Sequence, residues 1–262
     1  MGQTFELVTV EHHGHVADLT LNRPQAHNAL STAMAAEIAS AAATLAADSA
    51  VRAVVLSAMG EKAFCVGADL KERNSYSDAD LMRQRPIFRA AFGGILDLPM
   101  PTVAAVHGFA LGGGFELALS CDLIVADETA VLGLPEVTVG VVPGGGGTQL
   151  LLRRVGSARA ADLVFTGRRI DIDEAERLGL VDRRAPTGEA RKVALELAGQ
   201  IAANSPVGLR NAKRALRAGA GLDLAVALDV EDSAWRATAF SGDRREGVAA
   251  FNEKRRPSWP GE

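Results

Sequence analysis

Aromatic side chains are scarce in this chain. Phe, Tyr and Trp make up 5% of its 262 residues, with a single Tyr. A core built without them rests on Ala, Val and Leu, and a hydrophobic content of 48% is ample for one. Cysteine is nearly absent. Cys65 and Cys121 stand far apart and match no disulfide framework, metal site or redox pair, so each reads as a buried, inert thiol. No apolar run approaches the roughly 20 residues that span a bilayer. The start, Met1-Gly2-Gln3-Thr4-Phe5-Glu6, has neither a basic region nor a signal core, and the expected location is the cytoplasm. A net charge of −4 gives no general basic footprint, so nucleic acid is not an expected partner.

Familiar motifs are missing as well. The glycine clusters at 112–114 and 144–147 contain no G-x-G-x-x-G, and the second leads to Thr148-Gln149 rather than to a P-loop lysine. G-x-S-x-G is absent, which excludes the usual α/β-hydrolase nucleophile, and no H-E-x-x-H occurs. The histidines of His12-His13-Gly14-His15 fit no metal-ligand spacing and read as a hairpin turn.

What is present alternates short strands with helices through the first two thirds, predicting an α/β core. Strand-like runs cover 5–10, 16–21, 52–57, 102–106 and 122–126. Ser31 is placed to cap an Ala-rich helix running to about Ala47. Residues 73–85 are polar and mixed and predict a loop or loose helix, with a firm helix only from Ile87 to Leu98. From about Ser157 the pattern is almost wholly helical.

Three stretches could carry chemistry. After the apolar strand 102–106, Gly112-Gly113-Gly114 open a helix that carries Glu116. The first N–H groups of a helix have no partner inside it and favour negative charge. Gly113 and Glu116 are three apart and share a face. The same pattern also suits close helix–sheet packing with a capping carboxylate. Glu136, like Glu116, is embedded in small or apolar residues. If both reach one cavity, desolvation and repulsion raise at least one pKa toward neutrality, the requirement for acid/base work. Finally, Gly67-Ala68-Asp69 can present a backbone N–H from a tight turn, with Asp69 capping the next helical turn and Lys71 as the nearest cation.

These stretches together carry a resemblance. Leu21-Asn22-Arg23-Pro24 with Asn28-Ala29-Leu30, Ala63 to Lys71, Pro101 to Ala118, Cys121-Asp122, Gly133-Leu134-Pro135-Glu136 and Pro143 to Gln149 are similar to the enoyl-CoA hydratase/isomerase (crotonase) superfamily, as is the C-terminal segment around Asp243 to Arg255. Segments 64–73 and 141–147 most resemble its methylglutaconyl-CoA hydratase branch. The resemblance implies a spiral of ββα units over residues 1–200 and a helical region at 201–262 that packs trimers, often paired into hexamers. It implies an acyl-CoA thioester as substrate, with no prosthetic group and no metal. The thioester oxygen is expected between the N–H groups of Ala68 and Gly113, and the catalytic pair is Glu116 and Glu136. Ala26, Ala68, Asp69, Leu70, Lys71 and Gly113 are expected along the coenzyme A, joined by Phe251 and Lys254 from a neighbouring subunit. The implied reaction is hydration of a trans-2-enoyl-CoA. Phe115, Leu150 and Val66 depart from the common pattern and bear on acyl-chain preference.

Overall fold

The computed structural model describes residues 5–262. A hairpin of β1 (Val8–His13) and β2 (Val16–Leu21) leads to helix α1 (Thr32–Ala47), where the Ser31 side chain accepts from the Met34 N–H as the expected cap. There follow β3 (Ala53–Ala58), β4 (Ala63–Cys65), the single turn α2 (Leu70–Arg73) and α3 (Asp78–Leu96). The next unit is β5 (Thr102–Val106), β6 (Phe109–Leu111) and α4 (Gly113–Ser120). Then come β7 (Leu123–Asp127), β8 (Val131–Gly133), a 3₁₀ turn (Pro135–Val139), α5 (Gly147–Val155) and α6 (Ser157–Thr166). After β9 (Arg169–Asp171), α7 (Ile172–Arg177) and β10 (Arg183–Ala185), the chain is helical: α8 (Ala190–Ala202), α9 (Pro206–Gly219), α10 (Leu224–Ala239) and α11 (Gly242–Asn252).

The strands form two sheets, ordered β1-β2-β3-β5-β7-β10 and β4-β6-β8-β9. In each of the pairs β3–β4, β5–β6 and β7–β8, the first strand joins the larger sheet and the second the smaller. Both sheets therefore advance together, mostly in parallel, and the chain winds as a spiral of ββα units. The central strands are buried on both faces, which is why they read as unbroken apolar runs. Val54, Leu56, Ala104, Val106, Ile124 and Ala126 face the main core. Val55, Val103, Ala105 and Val125 face the other way, against Ala194, Leu197 and Ala198 of α8.

The sequence expectations needed three corrections. Helix α3 starts nine residues before the expected Ile87, at Asp78, and carries Pro86 inside it. Ser77 and Asp80 form a reciprocal capping box there, and α3 lies so close to α1 that a Cβ on Gly94 would stand 3.1 Å from Ala42 Cβ. Capping and packing outweigh the polar composition and the proline. The smaller sheet went unseen because its strands are three residues long, too short to show alternation, and one of them, β6, precedes the glycine-opened helix. Strands β9 and β10 likewise interrupt the stretch expected to be helical throughout.

One buried ion pair ties the C-terminal helices to the core. Lys213 on α9, 7% exposed, donates to Met100 O at 2.8 Å and pairs with Asp122 at 2.7 Å. Asp122 also takes the Thr102 N–H and two bonds from Arg217, whose guanidinium reaches the Leu96 carbonyl as well. Burial pushes the Asp122 pKa up, but the charges of Lys213 and Arg217 hold it below the ordinary carboxylate range. That stabilisation is present at neutral pH and is lost as pH falls through the depressed folded-state pKa. Asp122→Asn is expected to cost about 2 kcal/mol, read as a lower urea midpoint, because it leaves the buried Lys213 ammonium without its counter-charge.

Candidate active site

The site is built where two backbone turns touch. Gly112, just before α4, has φ +54°, and a Cβ there would sit 3.1 Å from Glu136 Oε1. Gly114 packs on β4 so closely that a Cβ would lie 2.0 Å from the Cys65 carbonyl oxygen. Gly67, at φ +89°, would place a Cβ 2.9 Å from Leu111 O and 3.1 Å from Gly113 N. Turn 67–68 and turn 112–113 are thus in backbone contact, and only glycine permits it.

This contact sets two N–H groups side by side. Leu30 forms a parallel bridge to Ala68: its N–H donates to Gly67 O at 2.8 Å, and its carbonyl accepts from Asp69 N–H at 2.9 Å. In a parallel bridge those bonds use the residues flanking Ala68, so Ala68's own N–H points to the opposite side. Gly113 is the first residue of α4, whose N–H has no intrahelical acceptor. Among the described residues neither N–H donates a hydrogen bond, and both residues are half-buried.

Two carboxylates border this pair. Glu116, one turn into α4, is 3% exposed, and its Oε1 accepts from Gly145 N–H at 2.6 Å and Gly147 N–H at 2.8 Å. Burial pushes its pKa up; the two N–H donors and the Arg85 charge oppose this, and the net shift is upward. Glu136 lies in the 3₁₀ turn after β8. Its Oε2 is buried and accepts no hydrogen bond among the described residues. Burial, with the nearby charge of Glu116, pushes its pKa up to about 7. The Phe92 ring walls the space, 3.3 Å from where a Gly113 Cβ would be and 2.6 Å from a Gly145 Cβ. Two converging donors can stabilise an oxyanion, and two carboxylates of unequal proton affinity can hold and deliver one proton.

The sequence from residue 11 to residue 262 matches the family model described as enoyl-CoA hydratase/isomerase. The chain belongs to the enoyl-CoA hydratase/isomerase family. YngF of Bacillus subtilis (strain 168), which bears an enoyl-CoA hydratase/isomerase name, is 44% identical over 247 residues, 94% of this chain and 95% of its own. The enoyl-CoA isomerase/hydratase fer4 of Mycosarcoma maydis is 40% identical over 255 residues, covering 94% of this chain and 93% of its own. The crystal structure of an enoyl-CoA hydratase from Bacillus anthracis superposes with a TM-score of 0.95 at 40% identity, covering 98% of this chain and all of that one.

Of the residues this family resemblance singled out, Ala68, Gly113, Glu116 and Glu136 come together in one place. Asp69 adjoins them, but its carboxylate is occupied: Oδ1 accepts from the Lys71 and Glu72 N–H groups, capping α2, and Oδ2 from Arg23. Leu70 and Lys71 are exposed on α2. Ala26 ends a separate short 3₁₀ turn, Pro24–Ala26, beside a cleft of about 500 Å³ lined by Pro24, Gln25, His27 and residues 59–63. Phe251, 84% exposed, and Lys254 belong to α11 and its end, which packs on α9 and α10 rather than on the elements of the site. Sequence reading missed Phe92, Arg85 and the N–H groups of Gly145 and Gly147. The 144–147 glycines were visible, but not that they serve Glu116. Arg85 runs along Gly144, where a Cβ would be 2.9 Å from Nη1.

Proposed function

We propose that the protein is an enoyl-CoA hydratase, adding water reversibly and in syn fashion across the double bond of a trans-2-enoyl-CoA to give the 3-hydroxyacyl-CoA. The observation that carries this reading is the asymmetry of the two carboxylates. Glu116 is held by N–H donors that favour its ionised form, whereas Glu136 has a buried oxygen without a donor and a pKa near 7. With two N–H donors on Glu116 and none on the buried Glu136 oxygen, the singly protonated pair favours the proton on Glu136. Glu116 then draws a proton from water as it attacks Cβ, and Glu136 delivers its proton to Cα. The Ala68 and Gly113 N–H groups bind the thioester oxygen and stabilise the enolate. A positional isomerase needs only one base to carry a proton between two carbons, and two carboxylates favour hydration over it.

Coenzyme A enters as part of the substrate, and no prosthetic group is required. Ala26, Leu70 and Lys71 fit contacts to it, with Lys71 a point charge toward its phosphates. Phe251 and Lys254 would reach the coenzyme A of another copy in a trimer or a dimer of trimers. The exposed apolar surface of α9 and α10, with Leu216, Leu224, Leu228 and Trp235 exposed along a shared groove, supports such an assembly.

The test is loss of enoyl thioester absorbance with crotonyl-CoA, extended to long-chain, branched and 3-methylglutaconyl thioesters. The highest kcat/KM names the acyl class. Conversion of 3-enoyl to 2-enoyl thioesters without hydration would overturn the proposal. The pH profile is a further check. The competent enzyme carries one proton on the pair, so kcat/KM is expected to fall as pH rises through about 7. Hydration consumes no net proton, so dehydration must show the same limb.

A further inference from the structure

The Ala68 N–H owes its direction to the bridge with Leu30, and one side chain holds a chain neighbour of each bridge partner. Arg23 Nη1 donates to the carbonyl of Ala29 at 2.9 Å and to Asp69 Oδ2 at 2.6 Å. Ala29 immediately precedes Leu30, and Asp69 immediately follows Ala68. The guanidinium therefore spans the two strands of the bridge at its edge. The ion pair is largely covered, with side-chain exposures of 23% for Arg23 and 10% for Asp69. Burial pushes the Asp69 pKa up, yet the bond and charge of Arg23 and the α2 N–H groups bring it below the ordinary value.

The segment carrying Arg23 is itself fixed. Asn28, at φ +53°, accepts from the Arg23 N–H at 2.8 Å through Oδ1 and donates through Nδ2 to Met59 O at 2.9 Å and Ala63 O at 3.0 Å. Arg23 N–H, Asn28 and the start of β4 thus form one rigid base. The Arg23 side chain makes its hydrogen bonds to Ala29 O and Asp69 Oδ2, and neither Glu116 nor Glu136 is among its partners.

We infer that Arg23 is a positioning residue for the Ala68 N–H, its guanidinium clamping the Leu30 and Ala68 segments in the register that aims this donor at the thioester oxygen. The inference rests on the hydratase reading for that donor's role. Both bonds leave the single nitrogen Nη1, so lysine restores the clamp only as far as its shorter side chain brings an ammonium to that position. A displacement of about 1 Å at such a donor can cost 100-fold in rate.

The test uses Arg23→Met, Arg23→Lys and Asp69→Asn in the full-length protein. Two readouts are hydration kinetics with crotonyl-CoA and the infrared C=O stretch of bound butyryl-CoA, a saturated thioester that cannot react. Wild type is expected to shift the stretch to lower frequency. Arg23→Met is expected to lose most of that shift and about 10–100-fold in kcat, with KM changed less than about threefold. Arg23→Lys and Asp69→Asn should fall between, and they keep the test open if Arg23→Met fails to fold. Equal shift and equal kcat in wild type and a folded variant would overturn the clamp. A wild-type shift that Arg23→Met abolishes, without hydration of any enoyl-CoA, would sustain the clamp and overturn the hydratase reading alone. No shift in wild type would overturn the clamp together with the oxyanion role of Ala68.

Discussion

On the hydratase reading, Glu136→Gln is expected to lower kcat for hydration of crotonyl-CoA by about 10²–10⁴-fold, the range for removal of a positioned acid, while KM changes little. Glutamine keeps the shape of the side chain but cannot deliver a proton to Cα. Glu116→Gln is expected to fall in the same range, and the double variant to be little worse than either single one, because in the proposed mechanism both carboxylates act on one water and one proton. The alkaline limb near pH 7 should vanish from whatever activity Glu136→Gln retains. Stability should move the opposite way. The folded-state pKa of Glu136, about 7, lies above its unfolded value, so ionising it weakens the fold as pH rises from about 4.5 to 7. Its partial exposure discounts the effect, leaving about 1–2 kcal/mol gained by Glu136→Gln at pH 8 and little at pH 4. Urea denaturation at the two pH values measures the gain. A variant that is both inactive and no more stable at pH 8 would remove the case for a strained carboxylate here.

Gly114→Ala is expected to abolish hydration and to destabilise the protein by about 3 kcal/mol, the upper end for an overpacked core. Its Cβ would meet the Cys65 carbonyl at 2.0 Å, Cys65 C at 2.6 Å and Cys65 Cβ at 2.8 Å. Neither backbone group can rotate aside, so α4 must lift from β4. Gly113 then parts from Ala68, and Glu116 from the Gly145 and Gly147 donors. Gly199→Ala is the matched control. It lies inside α8, where an added Cβ meets nothing within 4 Å, and should stabilise by about 0.4–1 kcal/mol. Thermal midpoints and kcat for the two variants separate a general cost of replacing glycine from the specific contact at Cys65.

The parts of this molecule that sequence made legible are those with a local signature. The Ser31 cap, the doubly buried strands and the Asp69 cap each announce themselves within a few residues. The family motifs marked Ala68, Gly113, Glu116 and Glu136 over long separations, and the geometry brings those four together. What stayed hidden depends on tertiary contact. The three-residue strands of the smaller sheet have no period to read. Asp122 was legible only as the start of the strand-like run 122–126 and as part of the Cys121-Asp122 motif, yet it anchors α9 through Lys213 and Arg217. Residues 78–86 looked loose because their polar composition conceals a capping box and the close approach of α3 to α1.

The two N–H groups at Ala68 and Gly113 belong to the main chain. No exchange of side chain except to proline deletes them, provided the replacement fits the local φ and space. The carboxylates at 136 and 116, the proposed acid and base, are side chains, replaceable one at a time. On the proposed function, a protein built this way can exchange its proton chemistry while retaining its grip on an enolate, and redesign can proceed in the same order. Library positions belong at 116, 136 and the Phe92 wall, with 67, 112 and 114 held as glycine. Selection on such a library would vary the fate of one common intermediate rather than invent a new one.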